Sequence, residues 1–204
     1  MKQFKFVIAV SCILFFQSSV WSQQGTWRLD LNYKVGIPTG NLKNLTDETS
    51  LRGWSGFLSH GINDRLAVGL ETGFQDFYQQ YPRQIIHESG SDLSAVITNS
   101  IQTIPVLVKA KYKLTEGGPL QPFAALGVGG NLIQYRKFYG QFSESYSKIG
   151  FAAQPELGIH APVGKAKRLG VQLAAAYNIM PFQDNDADGL NHVSVKAGLS
   201  IPLR

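Results

Sequence analysis

The sequence predicts an all-β protein, an eight-stranded antiparallel up-and-down transmembrane β-barrel. Three observations carry that prediction. Residues 26–37 alternate almost without error, with Trp27, Leu29, Leu31, Tyr33, Val35 and Ile37 set against Arg28, Asp30, Asn32, Lys34 and Gly36. Period-two alternation puts the two sets on opposite faces of one strand. The stretch is longer than the usual strand of about 5–6 residues, and it reaches the roughly 9–11 residues with which a tilted strand crosses a bilayer. The pattern then recurs along the chain, and it follows an export signal.

The export signal is residues 1–22. Lys2 and Lys5 give a positive start, residues 6–16 are apolar except for Ser11 and Cys12, and Val20 and Ser22 are the small residues at −3 and −1. The apolar run is shorter than the roughly 20 residues of a spanning helix. Cleavage after Ser22 is therefore expected rather than an uncleaved anchor. Cys12 lies inside the run behind Ala9-Val10-Ser11, a poor lipobox. Residues 23–204 are expected to form one outer-membrane barrel domain. Of the 19 basic residues, 17 lie in that mature part against 14 acidic ones, a net charge of +3. So mild an excess argues against nucleic acid as a partner. The single cysteine is Cys12, so the mature chain carries no disulfide or cysteine metal site. A slightly negative mean hydropathy suits strands that face lipid and lumen in turn.

Seven more strands follow. The second, residues 52–62, is the least regular, because Trp54, Leu58 and Ile62 share a face that Phe57 contradicts. Asn63-Asp64 makes a tight turn. The third, residues 65–78, sets Leu66, Val68, Leu70, Thr72 and Phe74 against Ala67, Gly69, Glu71, Gly73 and Gln75. The fourth, residues 101–114, sets Val106, Val108 and Tyr112 against Lys109 and Lys111. Its Pro105 lacks a ladder donor and predicts a bulge or irregularity. Residues 116–119 turn the chain into the fifth strand, residues 121–135, whose Leu126, Val128 and Leu132 are expected to face lipid. The sixth, residues 148–161, opposes Phe151, Leu157 and Ile159 to Gln154, Glu156 and His160. Residues 162–167 turn the chain. The seventh carries Leu169, Val171, Leu173 and Tyr177 against Gln172 and Asn178, and the eighth carries Val193, Val195, Leu199, Ile201 and Leu203 against His192, Lys196 and Gly198.

The connections alternate between short (residues 63–64, 115–120 and 162–168) and long (38–51, 79–100, 136–147 and 181–191). Short periplasmic turns and long external loops are the mark of outer-membrane barrels, and an even strand count brings both termini to the periplasm. Residues 79–100 leave room for an extra hairpin, so a count of ten strands stays open. Trp27, Tyr112 and Phe123 at one end, with Phe77, Tyr78 and Tyr135 at the other, fit two interfacial girdles.

The last strand reads Lys196-Ala197-Gly198-Leu199-Ser200-Ile201-Pro202-Leu203, and Lys196, Gly198, Ile201 and Leu203 match the β-signal read by the barrel assembly machinery. It ends in Arg204 rather than an aromatic residue. Residues 35–40 (Val-Gly-Ile-Pro-Thr-Gly), 62–66 and 104–112 add looser matches. On these motifs the mature chain resembles the Bacteroidetes-type outer-membrane β-barrel domain, similar to OmpA/OmpX-like and PorT-like eight-stranded barrels. The resemblance implies an outer-membrane location and no single activity.

The faces expected to point inward carry Arg28, Asp30, Lys34, Glu71, Lys109, Lys111, Glu156, His160 and Lys196. Eight strands leave room for little more than side chains, and buried charges must pair. A salt-bridged plug is the expectation, with a narrow solute path as the alternative. A soluble exported barrel for a small apolar ligand is a further alternative, and the charged inner faces argue against it. Residues 184–189, Asp-Asn-Asp-Ala-Asp-Gly, look like half a calcium loop, but the bidentate position falls on Val195. Gly127-Val128-Gly129-Gly130 lacks the Lys-Ser/Thr of a phosphate loop. His60, His87, His160 and His192 show no ligand spacing, and no G-x-S-x-G elbow is present. No cofactor, metal or catalysis is expected. The expected partners are outer-membrane lipid, the assembly machinery and an envelope protein met through the external loops.

Overall fold

In the computed structural model the described residues are 25–80, 82, 84–88, 91–95, 97–115, 117–139, 142–163, 169–181, 183–184 and 187–203. Residues 1–24, where the leader was expected, and turn positions 116 and 164–167 lie outside them. Eight long strands close into an antiparallel barrel: β1 (Trp27–Pro38), β2 (Arg52–Gly61), β3 (Leu66–Gln80), β6 (Ile97–Lys113), β7 (Gln121–Tyr139), β8 (Phe142–Val163), β9 (Leu169–Asn178) and β12 (His192–Leu203). Closure is made by β1 against β12, from Trp27 opposite Leu203 to Pro38 opposite His192. A four-residue helix, α1 (Leu42–Leu45), sits in the first long loop.

The extra hairpin in residues 79–100 exists, as β4 (Gln84–Glu88) and β5 (Ser91–Ala95). These strands pair only with each other, so the barrel count is eight. A second small ladder joins β10 (Gln183–Asp184) to β11 (Ala187–Asp188). It holds the described part of the acidic stretch, whose residues 185 and 186 lie outside the description. Asn63 turns β2 into β3 by accepting at Oδ1 from the backbone N–H of Arg65 and Leu66, at 2.9 and 2.7 Å. Its short carboxamide imitates a backbone turn.

The wall is apolar outside and polar inside. Leu31, Leu70, Val108, Leu126, Leu157, Leu173 and Leu199 stand exposed on seven of the eight strands, while Asp30, Glu71, Lys109, Glu156 and Lys196 are buried within. Three sequence expectations need correction. β2 alternates regularly, because Phe57 turns inward and Trp54 and Leu58 turn outward. Ile62 lies past the strand end. Phe77 and Phe123 are not girdle residues, since both are fully buried inside the barrel, and Tyr135 packs on the interior apolar cluster. A narrow barrel needs large residues to fill its bore. Pro105 gives the expected irregularity but not the bulge: Thr72–Val106 and Gln75–Thr103 keep one register, and the intervening pairs are lost.

The wall is also uneven in height. β9 pairs with β8 from Val163 only back to Glu156, with one isolated bridge at Ala153–Ile179, whereas β7 follows β8 to its start at Phe142. β7 and β8 have 19 and 22 residues. Residues 136–147, expected to be a loop, mostly continue the strands. At about 3.3 Å per residue they outrun a bilayer core of about 30 Å.

Candidate functional site

The interior polar column is the candidate site, and the strand alternation builds it. Every second residue of each strand points into the bore, so Glu71 on β3, Lys109 on β6, Glu156 on β8 and Lys196 on β12 meet at one level. Lys109 Nζ donates to Glu71 Oε2 at 2.6 Å and to Glu156 Oε2 at 2.8 Å. Lys196 Nζ donates to Glu71 Oε1 at 2.6 Å, Glu156 Oε2 at 2.7 Å and Gln154 Oε1 at 2.8 Å. Two carboxylates and two ammonium groups thus alternate in a closed ring. Each lysine reaches both carboxylates, which offsets the desolvation of four buried charges. Lys34 lies buried opposite Lys196 across the β1–β12 seam.

Toward the end that carries the termini, a second layer is built on Lys111. Its Nζ donates to Asp30 Oδ2 at 2.9 Å and Gln172 Oε1 at 2.8 Å, and it lies 4.2 Å from the centre of the Phe123 ring. Gln172 Nε2 passes the network on to Asn32 Oδ1 at 2.7 Å. Arg28 Nη1 donates to Ser200 Oγ at 3.2 Å. His160 is buried beside this layer, with neither ring nitrogen hydrogen-bonded. A Cβ at position 170 would run into its Nε2, so Gly170 is what lets the imidazole seat on β9.

Toward the long-loop end the column turns apolar. Leu42 of α1, Phe77, Ile101, Leu107, Ile133, Ala152, Met180 and Leu190 form one buried cluster. The two loops that supply Leu42, Met180 and Leu190 are clasped: Thr39 N and Oγ1 both donate to Asn191 O, at 3.1 and 3.0 Å, and Asn191 Oδ1 accepts from Met180 N at 2.8 Å. Sequence periodicity missed this plug, because three of its members sit in loops.

All nine inward residues named from the sequence therefore line the bore, in two layers. Of the four β-signal positions, Lys196 belongs to the ring. Gly198 lies at the seam, where a Cβ would run into Leu31 O and Asn32 Oδ1. Ile201 and Leu203 pair with Leu29 and Trp27. Among the described residues no group of three His, Asp or Glu is placed to hold a metal ion, and no helix is long and apolar enough to cross a membrane, which says nothing of strands.

No protein-family model matches the sequence, and no curated protein does. Solved structures do match the fold, outer-membrane barrels among them. Neisserial surface protein A is 12% identical over 88% of this chain and 97% of its own, with a TM-score of 0.54. The outer membrane protein OprG from Pseudomonas aeruginosa is 11% identical over 89% and 97%, with a TM-score of 0.56. A weaker match is the outer membrane protease OmpT from Escherichia coli, 8% identical over 91% of this chain and 100% of its own, with a TM-score of 0.47. At these identities the likeness gives the fold, a closed eight-stranded barrel of the outer-membrane kind, and no activity.

Proposed function

We propose that the chain is an integral outer-membrane protein without catalytic activity, a plugged barrel whose raised rim meets other molecules at the cell surface. The observation that carries the interaction role is the raised rim: β7 and β8 run 19 and 22 residues and stay paired with each other out to Tyr139 and Phe142, past the length that a bilayer core takes up. The apolar outer wall supports the membrane reading and disfavours the soluble ligand-binding alternative, which needs the opposite polarity. The ring and the apolar plug disfavour the solute path. Within this proposal the family is the Bacteroidetes-type, PorT-like one that the motifs resemble, with the leader removed after Ser22 and residues 196–203 read by the barrel assembly machinery.

The experiment is heat-modifiability on a gel, with protein from the outer-membrane fraction run unboiled and boiled. Faster migration before boiling is expected. No shift, with recovery from the soluble periplasm, overturns the membrane reading. Leu31→Arg sharpens it: an arginine on the lipid face costs about 2–4 kcal/mol at midplane depth, so the refolded yield in lipid should fall well below wild type. Planar-bilayer recordings should show little conductance, and steady open channels would favour the solute path instead.

A further inference from the structure

The end of the barrel that carries the termini opens into a cavity of about 220 Å³, lined among others by Arg28, Asp30, Lys111, Lys113, Phe123 and His160. The cavity is a cup. Its floor is the Lys111–Asp30 pair; the Lys–Glu ring lies one step deeper along the alternation, from Lys111 to Lys109, and the apolar cluster lies beyond. At about 30 Å³ per water, the cup has room for roughly seven waters. That is the size of a charged headgroup with a few attached atoms.

The hydrogen-bond inventory of the lining is lopsided. An ammonium group has three donors and a guanidinium five. Lys111 uses two, on Asp30 and Gln172. Lys113 Nζ uses one, on Asp64 O at 3.2 Å, and Arg28 uses one, on Ser200 Oγ at 3.2 Å. Against these open donors stand two carboxylates, Asp30, whose Oδ1 has no partner, and Asp64, whose charge acts on Lys113. Arg28 and Lys111 lie close enough to Lys113 for their like charges to act on it, and all three act on His160. His160 itself is only 7% exposed, and both of its ring nitrogens lack a partner. A cup lined by Arg28, Lys111 and Lys113 against Asp30 and Asp64 holds more donors than its own carboxylates can satisfy.

We propose that this cup binds one small oxyanion group, a phosphate or a carboxylate, presented from the side of the termini. Arg28 and Lys113 supply the charge-assisted donors, and the His160 ring forms part of the wall beside them. Lys111 is held back by Asp30 and fixes the cup's floor. The Phe123 ring is the apolar wall for whatever atoms carry the anion. In an outer-membrane orientation the cup faces the periplasm; the binding itself rests on the barrel's interior alone.

The test uses the mature chain refolded in zwitterionic detergent and titrated in a calorimeter, at constant ionic strength, with inorganic phosphate and separately with acetate. Saturable one-to-one binding of either is expected, and the anion that saturates names the group. Affinity should fall at least about tenfold in Arg28→Gln/Lys113→Gln, as loss of a charge-assisted hydrogen bond implies. It should be unchanged in Arg52→Gln, whose guanidinium pairs with Asp76 at the opposite end. Lys113→Gln alone leaves the Arg28–Ser200 contact at the seam intact, and a heat-shift gel reports whether each variant is folded. Absence of saturation with both anions, equal weakening in Arg52→Gln, or wild-type affinity in folded Lys113→Gln would each overturn the proposal. Because the protein is tested in detergent, that failure is separate from any failure of the outer-membrane reading.

Discussion

The two ends of the bore are closed by different physics. At the long-loop end the interior is filled by aliphatic and aromatic side chains, several of them delivered by loops that are clasped through Thr39 and Asn191. At the termini end the interior is polar and open down to the Lys111–Asp30 layer, with a ring of two lysines and two glutamates one step deeper. The difference teaches how a narrow barrel is sealed. An apolar plug gains stability with buried area and tolerates loss of one member in proportion. A charge ring is closer to all-or-none, since removing one partner leaves the others desolvated and unpaired.

The sharpest way to break the comparison is Glu71→Ala. It leaves Lys109 and Lys196 sharing Glu156, with Lys34 buried nearby. A loss of about 3–5 kcal/mol is expected, read as a lower urea midpoint for the heat-shifted form in micelles. A midpoint near that of wild type would mean that the ring contributes no more than the apolar plug. Leu42→Ala tests the other end. α1 can settle over the gap, so the cost should sit at the low end of the range for buried leucine, about 2 kcal/mol, with anion binding unaffected. Gly170→Ala crowds His160 at the cup, and overpacking predicts a loss of about 1–3 kcal/mol by the same urea measurement; His160→Ala in the same background should recover most of it. The smallest perturbation is Lys113→Cys in residues 23–204, which carry no other cysteine. A water-soluble maleimide should label it quickly, and should label Leu42→Cys slowly or not at all. Equal labelling would show that the two ends are not closed differently.

Much of the wall was legible in the sequence because alternation is a local property. β1, β8 and β12 each show both faces by inspection, and the nine charged or imidazole side chains fell on the faces that turn inward. Which of them meet was not legible. Glu71 and Lys196 are 125 positions apart, and their contact depends on strand tilt and on the register at which β1 closes on β12. Aromatic residues misled for a related reason. Phe57, Phe77 and Phe123 fit a strand on either face, and only the width of the bore decides that they fill it. Leu42, Met180 and Leu190 carry no period at all, so their plug is visible only once the loops are in place. The pairing also rules out a simple control: Asn32 is hydrogen-bonded to Ser55 and Gln172, so Asn32→Arg is not a mild counterpart of Leu31→Arg.

The uneven rim sets a direction of approach. β3, β6, β7 and β8 rise together past the ends of β1, β2, β9 and β12. The mouth is therefore shielded on one side only. From the tall side an approaching molecule meets strand wall, and from the low side it meets the loops that hold Leu42, Met180 and Leu190 over the bore.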